Sequence, residues 1–150
     1  VVLGRDARDV PAGQTRDYIF GYTILNDVSA RDVQTAHKQW YFGKSLDGFT
    51  PIGPCIVTAD AFADYPPRLG IRSFVNGEKR QDSNTALQIF DIDHVIAELS
   101  QGMTLKAGTI IATGTPAGVG MGMDPPQFLK PGDVVRCEIE GIGTLTNPVK

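Results

Sequence analysis

Residues 21–34 read GYTILNDVSARDVQ, an apolar run that stops at Asn26-Asp27. Its β-branched and aromatic residues are typical of a buried strand, and the polar stretch that follows carries an arginine, an acid and a glutamine. The carboxylate at the strand end has two interpretations: Asp27 caps the helix that follows, or it holds a ligand in a pocket. The rest of the sequence has to decide between them.

Strand patterns dominate the remainder of the chain. They are DYIFGYTIL (17–25), CIVTA (55–59), TIIAT (109–113), DVVRCEIE (133–140) and GTLTNPV (143–149). In RSFVNGEKRQ (72–81), Asn76-Gly77 predicts a tight hairpin turn with positive φ at its centre. A helix is predicted in DIDHVIAELSQG (91–102), with Asp91 as its cap, and a shorter one in SARDVQTAHKQ (29–39). These patterns predict an α+β fold that is mostly β, with few short helices.

Composition excludes several classes of function. The chain has 150 residues, which predicts one domain, and a net charge of −3. Its 14 basic residues form no run, so we expect no nucleic-acid partner. No segment has the length of a membrane span, so we expect no membrane partner. Cys55 and Cys137 lie far apart, which predicts two thiols packed in the core and a cytoplasmic location.

A ligand site would form if several polar groups met in space. Arg31 and Gln34 lie three residues apart, which places them on one helix face, and Lys44 follows soon after. A carboxylate such as Asp27 suits a hard cation, and a keto acid suits a cation flanked by guanidinium and ammonium donors. Each residue also has an ordinary alternative, because Asp at a helix start is often a cap and lone Arg and Lys are usually solvated.

Two glycine-containing segments bear on nucleotide binding. FGKS (42–45) lacks the glycine that a phosphate-binding loop needs five residues before Gly43, since Lys38 stands there. GTPAGVGMG (114–122) contains no G-x-G-x-x-G. The second segment is interpreted as a wall whose backbone approaches a ligand, or as a loop that merely turns.

Five motifs in order resemble the fumarylacetoacetate hydrolase family. They are GYTILNDVSARDVQ, FGKSLDGFTPIGP, VNGEKRQ, ATGTPAGVG and LKPGDVVRCEIEGIGTLTNPV, which run through nearly all of the chain. The resemblance implies a mixed β-sheet roll, usually a homodimer, that binds Mg²⁺ or Mn²⁺ and acts on keto acids. Family members hydrolyse carbon–carbon bonds, decarboxylate or isomerise.

Carried over by motif, the resemblance assigns five residues. Asp27 is similar to the family's aspartate metal ligand. Arg31 and Gln34 correspond to substrate-orienting groups, and Lys44 to the catalytic lysine, which also binds substrate. Thr115 of GTPAG corresponds to a hydroxyl donor to the substrate carboxylate.

The departures from the family pattern carry their own prediction. A Glu-x-Glu pair and a His-Glu dyad would lie upstream of Val1, so we expect a single, N-terminally truncated catalytic domain over residues 1–150 that binds metal weakly and turns over little. Glu138-Ile139-Glu140 is itself Glu-x-Glu, but it falls in the closing hairpin and is expected to face solvent. His37 and His94 are expected to be structural.

The resemblance implies a metal-dependent hydrolase of acylpyruvate or fumarylacetoacetate-like diketo acids, acting through an enolate. A decarboxylase or isomerase of the same family, with oxaloacetate among the substrates, is the first alternative. A non-catalytic β-rich binding module is the second.

Three aromatic residues precede Lys44. Trp40, Tyr41 and Phe42 would line an apolar pocket, or lie in the core or a dimer interface.

Overall fold

The strands of the chain form two antiparallel sheets. The computed structural model describes residues 1–36 and 38–150. The first sheet contains β1 (Val2–Leu3), β2 (Ile19–Leu25) and β3 (Ile52–Thr58) in that order. The second has the order β5-β4-β6-β7, with β4 at Gly70–Val75, β5 at Glu78–Asn84, β6 at Val134–Ile139 and β7 at Gly143–Pro148. Strand β3 contacts β7, so the two sheets adjoin.

Helices are few and short. They are α1 (Arg31–Ala36), α2 (Tyr41–Lys44) and α3 (Ile92–Ser100). Single 3₁₀ turns lie at Thr15–Tyr18, Ala59–Ala61, Thr85–Leu87 and Gly120–Gly122. The predicted fold class, a mostly β chain of the α+β type with few short helices, is confirmed. The helices of residues 1–36 and 38–150 include none with the length and apolar character that crossing a lipid bilayer requires.

Two local predictions are confirmed in detail. Asn76 and Gly77 join β4 to β5 with φ of 52° and 84°, the left-handed pair that a tight hairpin needs. The Asp91 side chain accepts a hydrogen bond from the His94 backbone N–H at 2.8 Å and so caps α3. Both features depend on neighbouring residues only, which is why the sequence predicts them.

The core lies where α3 meets the first sheet. Ile92 and Ile96 of α3 are buried with Leu3 and Ile24 of that sheet, and Ile96 is fully enclosed. Val95 and Leu99 pack on the same cluster, as the helical spacing of the apolar residues predicts. Burying side chains of this size contributes about 1.5–3 kcal/mol each, so the helix stabilises the sheet that carries Asp27.

One predicted strand is wrong, one predicted helix is shorter than expected, and one helix was not predicted. TIIAT is not a regular strand, because its pairing with Val1 and Leu3 extends over one isolated bridge, between Ile110 and Val2. The helix predicted over residues 29–39 is present as α1, which begins at Arg31 and is described as far as Ala36. The prediction for His37 falls outside the described residues. Helix α2 was not predicted.

The cysteines are only partly as expected. Both thiols are free, but Cys55 is exposed on β3 rather than packed in the core. Cys137 is half-buried, and burial raises the pKa of its thiol. Alternation along β3 does not explain the difference, because Cys55 shares its face with the half-buried Gly53 and Val57; none of the residues of this strand is fully buried.

Candidate active site

Asp27 and Lys44 form an ion pair. Asp27 follows β2 by two residues, and Lys44 is the last residue of α2. The Lys44 Nζ lies 2.5 Å from the Asp27 Oδ2, and the two side chains are 24% and 44% exposed. Asp27 lies four residues before Arg31, the first residue of α1, and its carboxylate accepts from Lys44, so its interpretation as the cap of α1 is wrong.

A glycine allows α2 to approach α1. The Gly43 carbonyl accepts a hydrogen bond from the Ala30 N–H at 2.9 Å. A Cβ on Gly43 would lie 2.9 Å from the Cβ of Gln34, closer than side chains pack. The next residue along α2 is Lys44, so this close contact brings its ammonium to the strand end.

The segment after α2 returns to the same strand. The Thr50 hydroxyl donates to the Lys44 carbonyl at 3.2 Å. The Asn26 N–H donates to the Pro51 carbonyl at 3.0 Å, directly before Asp27. These bonds bring the segment before Pro51 back to the end of β2, next to the ion pair.

Arg31 and Gln34 also meet, as their spacing predicts. The Arg31 Nη1 donates to the Gln34 Oε1 at 2.9 Å, and Gln34 is only 4% exposed. Because Gly43 packs on Gln34, this pair lies beside the helix that carries Lys44. Four of the five predicted site residues thus belong to one local unit formed by the end of β2, α1 and α2.

Thr115 belongs to a different part of the chain. Its Oγ1 accepts a hydrogen bond from the Gln81 Nε2 at 2.8 Å, and Gln81 lies on β5 of the second sheet. Within residues 1–36 and 38–150, the hydrogen bonding of Thr115 is to Gln81 rather than to Asp27 or Lys44. A cavity shared by all five residues stays a prediction.

Sequence reasoning missed Gln81 on β5 and its cross-strand partner on β4, Ser73. Gln81 is the last residue of the VNGEKRQ motif, so the signal was present in the sequence. Its role was not visible there because the partner, Thr115, is 34 positions away.

The residues present do not form a complete site for a divalent cation. The described residues contain no group of three His, Cys, Asp or Glu side chains that could hold a metal ion. Asp27 is a single carboxylate, and one of its oxygens already accepts from Lys44. Mg²⁺ prefers six oxygen ligands and gives up water reluctantly, so this donor set does not fit it unaided.

The other acidic and histidine candidates have their own partners. Glu138 forms an ion pair with Arg136 at 3.2 Å and is only half-buried. Glu140 is exposed and accepts a hydrogen bond from the Gly70 N–H at 3.1 Å. The His94 ring is exposed and stacks on Phe90 with ring centroids 4.6 Å apart.

The aromatic residues before Lys44 are exposed. Trp40, Tyr41 and Phe42 are 64%, 73% and 52% exposed, so their assignment to the core is wrong. A pocket wall or an interface stays a prediction for them.

An open depression of about 510 Å³ lies near Arg5, Asp17 and Asp60, away from the five predicted residues. Arg5 there pairs with Asp17 at 3.8 Å, which leaves less free positive charge for an anion.

Comparison with known proteins agrees with this fold. The family model for fumarylacetoacetate (FAA) hydrolase C-terminal matches residues 1–150. Oxaloacetate tautomerase YisK of Bacillus subtilis is 48% identical over 149 residues, which are 99% of this chain and 49% of that protein. Fumarylacetoacetate hydrolase from psychrophilic Exiguobacterium antarcticum has a TM-score of 0.96 at 52% identity, over 99% of this chain and 53% of the other.

A second solved structure, 2-hydroxyhepta-2,4-diene-1,7-dioate isomerase from Mycobacterium marinum, has a TM-score of 0.86 at 48% identity, over 98% of this chain and 54% of the other. The chain belongs to the fumarylacetoacetate hydrolase family. Its relatives include proteins named as a tautomerase, an isomerase and a hydrolase. The chain spans about half the length of the curated relatives it matches.

Proposed function

We propose that this chain is the keto-acid-binding part of an enzyme that forms an enolate from a small 2-oxo acid and shifts a proton on it. The observation that carries the proposal is the Lys44 ammonium, 2.5 Å from Asp27 and beside the Arg31–Gln34 pair. Tautomerisation or isomerisation is the reaction class best supported, because relatives at 48% identity are named for these reactions.

The residue types match the charges of this reaction. When a base such as a water molecule takes the proton from the carbon beside a 2-oxo group, negative charge develops on the carbonyl oxygen. A fixed ammonium such as that of Lys44 stabilises this charge, and Asp27 holds the ammonium in place. The Arg31 guanidinium gives one N–H to Gln34 and has others left for the substrate carboxylate.

The metal and the oligomer are separate parts of the proposal. Mg²⁺ or Mn²⁺ at Asp27 would need ligands beyond those that this chain's described residues supply. Calorimetric titration of this chain with Mg²⁺ should give no saturable binding below about millimolar concentration, since one carboxylate competes poorly with water. A homodimer is proposed as well, and sedimentation velocity would test it.

Assays with two substrates test the reaction. Ketonisation of enol-oxaloacetate and cleavage of acetylpyruvate should be followed for this chain and for a version that includes any residues encoded before Val1. We expect proton transfer on oxaloacetate in the more complete protein. In that protein, Lys44→Met should lower kcat/KM at least about 100-fold, because the fixed positive charge of the Lys44 ammonium is lost. Lys79→Met removes a similar exposed ion pair, with Asp82 at 2.5 Å, and should leave the rate unchanged.

Hydrolysis of a diketo acid is the second candidate. It is favoured by the 52% identity and the TM-score of 0.96 to a fumarylacetoacetate hydrolase. Faster cleavage of acetylpyruvate than ketonisation of oxaloacetate would select it. If keto acids neither bind nor react, and Asp27→Asn leaves the binding of another ligand unchanged, the non-catalytic module replaces both.

A further inference from the structure

We infer that Gln81 is a positioning residue, which orients the Thr115 hydroxyl so that its hydrogen points to a ligand oxygen. This inference rests on the proposed function for the identity of the ligand as a keto acid. It concerns a side chain of the second sheet, outside the unit that contains Asp27 and Lys44.

The Gln81 amide makes three hydrogen bonds. Its Nε2 lies 2.8 Å from the Thr115 Oγ1 and 2.8 Å from the Pro116 carbonyl oxygen. Its Oε1 lies 2.7 Å from the hydroxyl of Ser73, its cross-strand neighbour on β4. One side chain therefore connects the second sheet to the loop that carries Thr115.

The chemistry of these partners fixes the direction of each bond. A backbone carbonyl can only accept, so the amide atom beside Pro116 must be the nitrogen. The amide oxygen then faces Ser73, whose hydroxyl has to donate to it. Of the two hydrogens on Nε2, one goes to the Pro116 carbonyl and the other to the Thr115 Oγ1.

The Thr115 hydroxyl is consequently an acceptor toward Gln81. Its own hydrogen is not used in that bond and stays available for another acceptor. Thr115 is exposed, so a ligand can reach it. A carboxylate oxygen suits this hydrogen best, because hydrogen bonds to an ionised acceptor are shorter and stronger than neutral ones.

A glycine holds the same loop against β5. Gly118 has φ of +105°, and a Cβ there would lie only 2.1 Å from the Arg80 carbonyl oxygen. The backbone of this loop is therefore in direct contact with β5. This contact keeps Thr115 within hydrogen-bonding distance of the Gln81 side-chain amide.

A double-mutant cycle tests the coupling. Pyruvate is the probe, and its affinity is measured by ligand-observed NMR for the protein, Gln81→Met, Thr115→Val and the double variant. Gln81→Met should weaken binding about fivefold to tenfold, and Thr115→Val about tenfold or more. In the Thr115→Val background, Gln81→Met should change the affinity by less than about twofold, because the two residues act through one bond.

Controls separate positioning from folding. Gln101→Met, at an exposed glutamine after α3, should change neither the affinity nor the melting temperature. Equal effects of Gln81→Met with and without the Thr115 hydroxyl would overturn the inference, as would an unchanged affinity.

A measurement without ligand keeps the inference distinguishable from the proposed function. The side-chain amide protons of Gln81 should exchange with solvent at least about tenfold more slowly than those of Gln101, because both Nε2 protons of Gln81 are hydrogen-bonded. Ser73→Ala should remove part of this protection. If pyruvate does not bind, the proposed function fails, and equal exchange rates at Gln81 and Gln101 would still refute the positioning role.

Discussion

The Gly43 carbonyl accepts a hydrogen bond from the Ala30 N–H at 2.9 Å, so α2 is attached to the start of α1 at the one residue that has no side chain to separate them. Packing of the two helices here is what places Lys44 beside Asp27.

Gly43→Ala should separate the two helices. The added methyl would lie 2.9 Å from the Ala30 carbonyl oxygen and from Gln34, so backbone has to move. We expect a loss of about 1–3 kcal/mol of stability and a larger loss of activity, since Lys44 moves with the helix. Urea unfolding and kcat/KM measure the two effects. Gly122→Ala is the control, because a Cβ there meets nothing closer than 3.7 Å; equal effects of both substitutions would contradict the packing argument.

Arg31→Lys should weaken substrate binding selectively. Lysine keeps the positive charge, but its ammonium is compact. It cannot donate to Gln34 and at the same time form two parallel hydrogen bonds to a carboxylate, as a planar guanidinium can. We expect KM to rise about tenfold while kcat changes by less than about twofold, because Arg31 would bind the substrate and the transition state equally well. Arg5→Lys, at an exposed pair with Asp17, serves as the control. A fall in kcat with unchanged KM would give Arg31 a different role.

Ser100→Ala should destabilise the fold without touching the site. The Ser100 side chain is fully buried, and its Oγ accepts from the Val10 N–H at 3.1 Å. Removing it leaves that buried N–H without its acceptor, which costs about 1–3 kcal/mol. Thermal or urea unfolding measures the loss. Ser45→Ala removes an exposed hydroxyl that donates to the Tyr41 carbonyl, and it should change stability by less than about 0.5 kcal/mol.

Tyr22→Phe should make the protein less sensitive to alkali. Burial in the core raises the pKa of the Tyr22 phenol to about 12, against about 10 in an unfolded chain. Below about pH 10 the phenol is neutral in both states. As the pH rises through about 10 to about 12, only the unfolded state ionises, so stability falls. Phenylalanine keeps the edge-to-face contact with Phe62, at 5.5 Å between centroids, without this loss.

Urea unfolding at about pH 9 and about pH 11 measures the difference. Tyr65, whose phenol pKa is also raised chiefly by burial, is present in both proteins, so the comparison isolates Tyr22. An equal fall in stability for both proteins would contradict the assignment.

Failed predictions from the sequence share one cause. TIIAT has strong β propensity, and Thr109 and Ile111 hydrogen-bond to Leu3 and Val1, but the pairing extends over a single bridge between Ile110 and Val2. Cys55 is a residue type that is usually buried, but it is exposed on β3, a strand in which no residue is fully buried. In both cases the outcome depends on which segments pack nearby, and residue type does not carry that information.

The sequence by itself determined the features whose causes lie within a few residues. The hairpin at Asn76-Gly77, the Asp91 cap and the Arg31–Gln34 pair all follow from local φ preferences or helical spacing. Only the tertiary structure decided that Asp27 faces Lys44, 17 residues away, and that Gln81 holds Thr115, 34 residues away. These contacts form because packed helices and paired strands bring distant side chains together, and the free energy of that packing is a property of the whole chain.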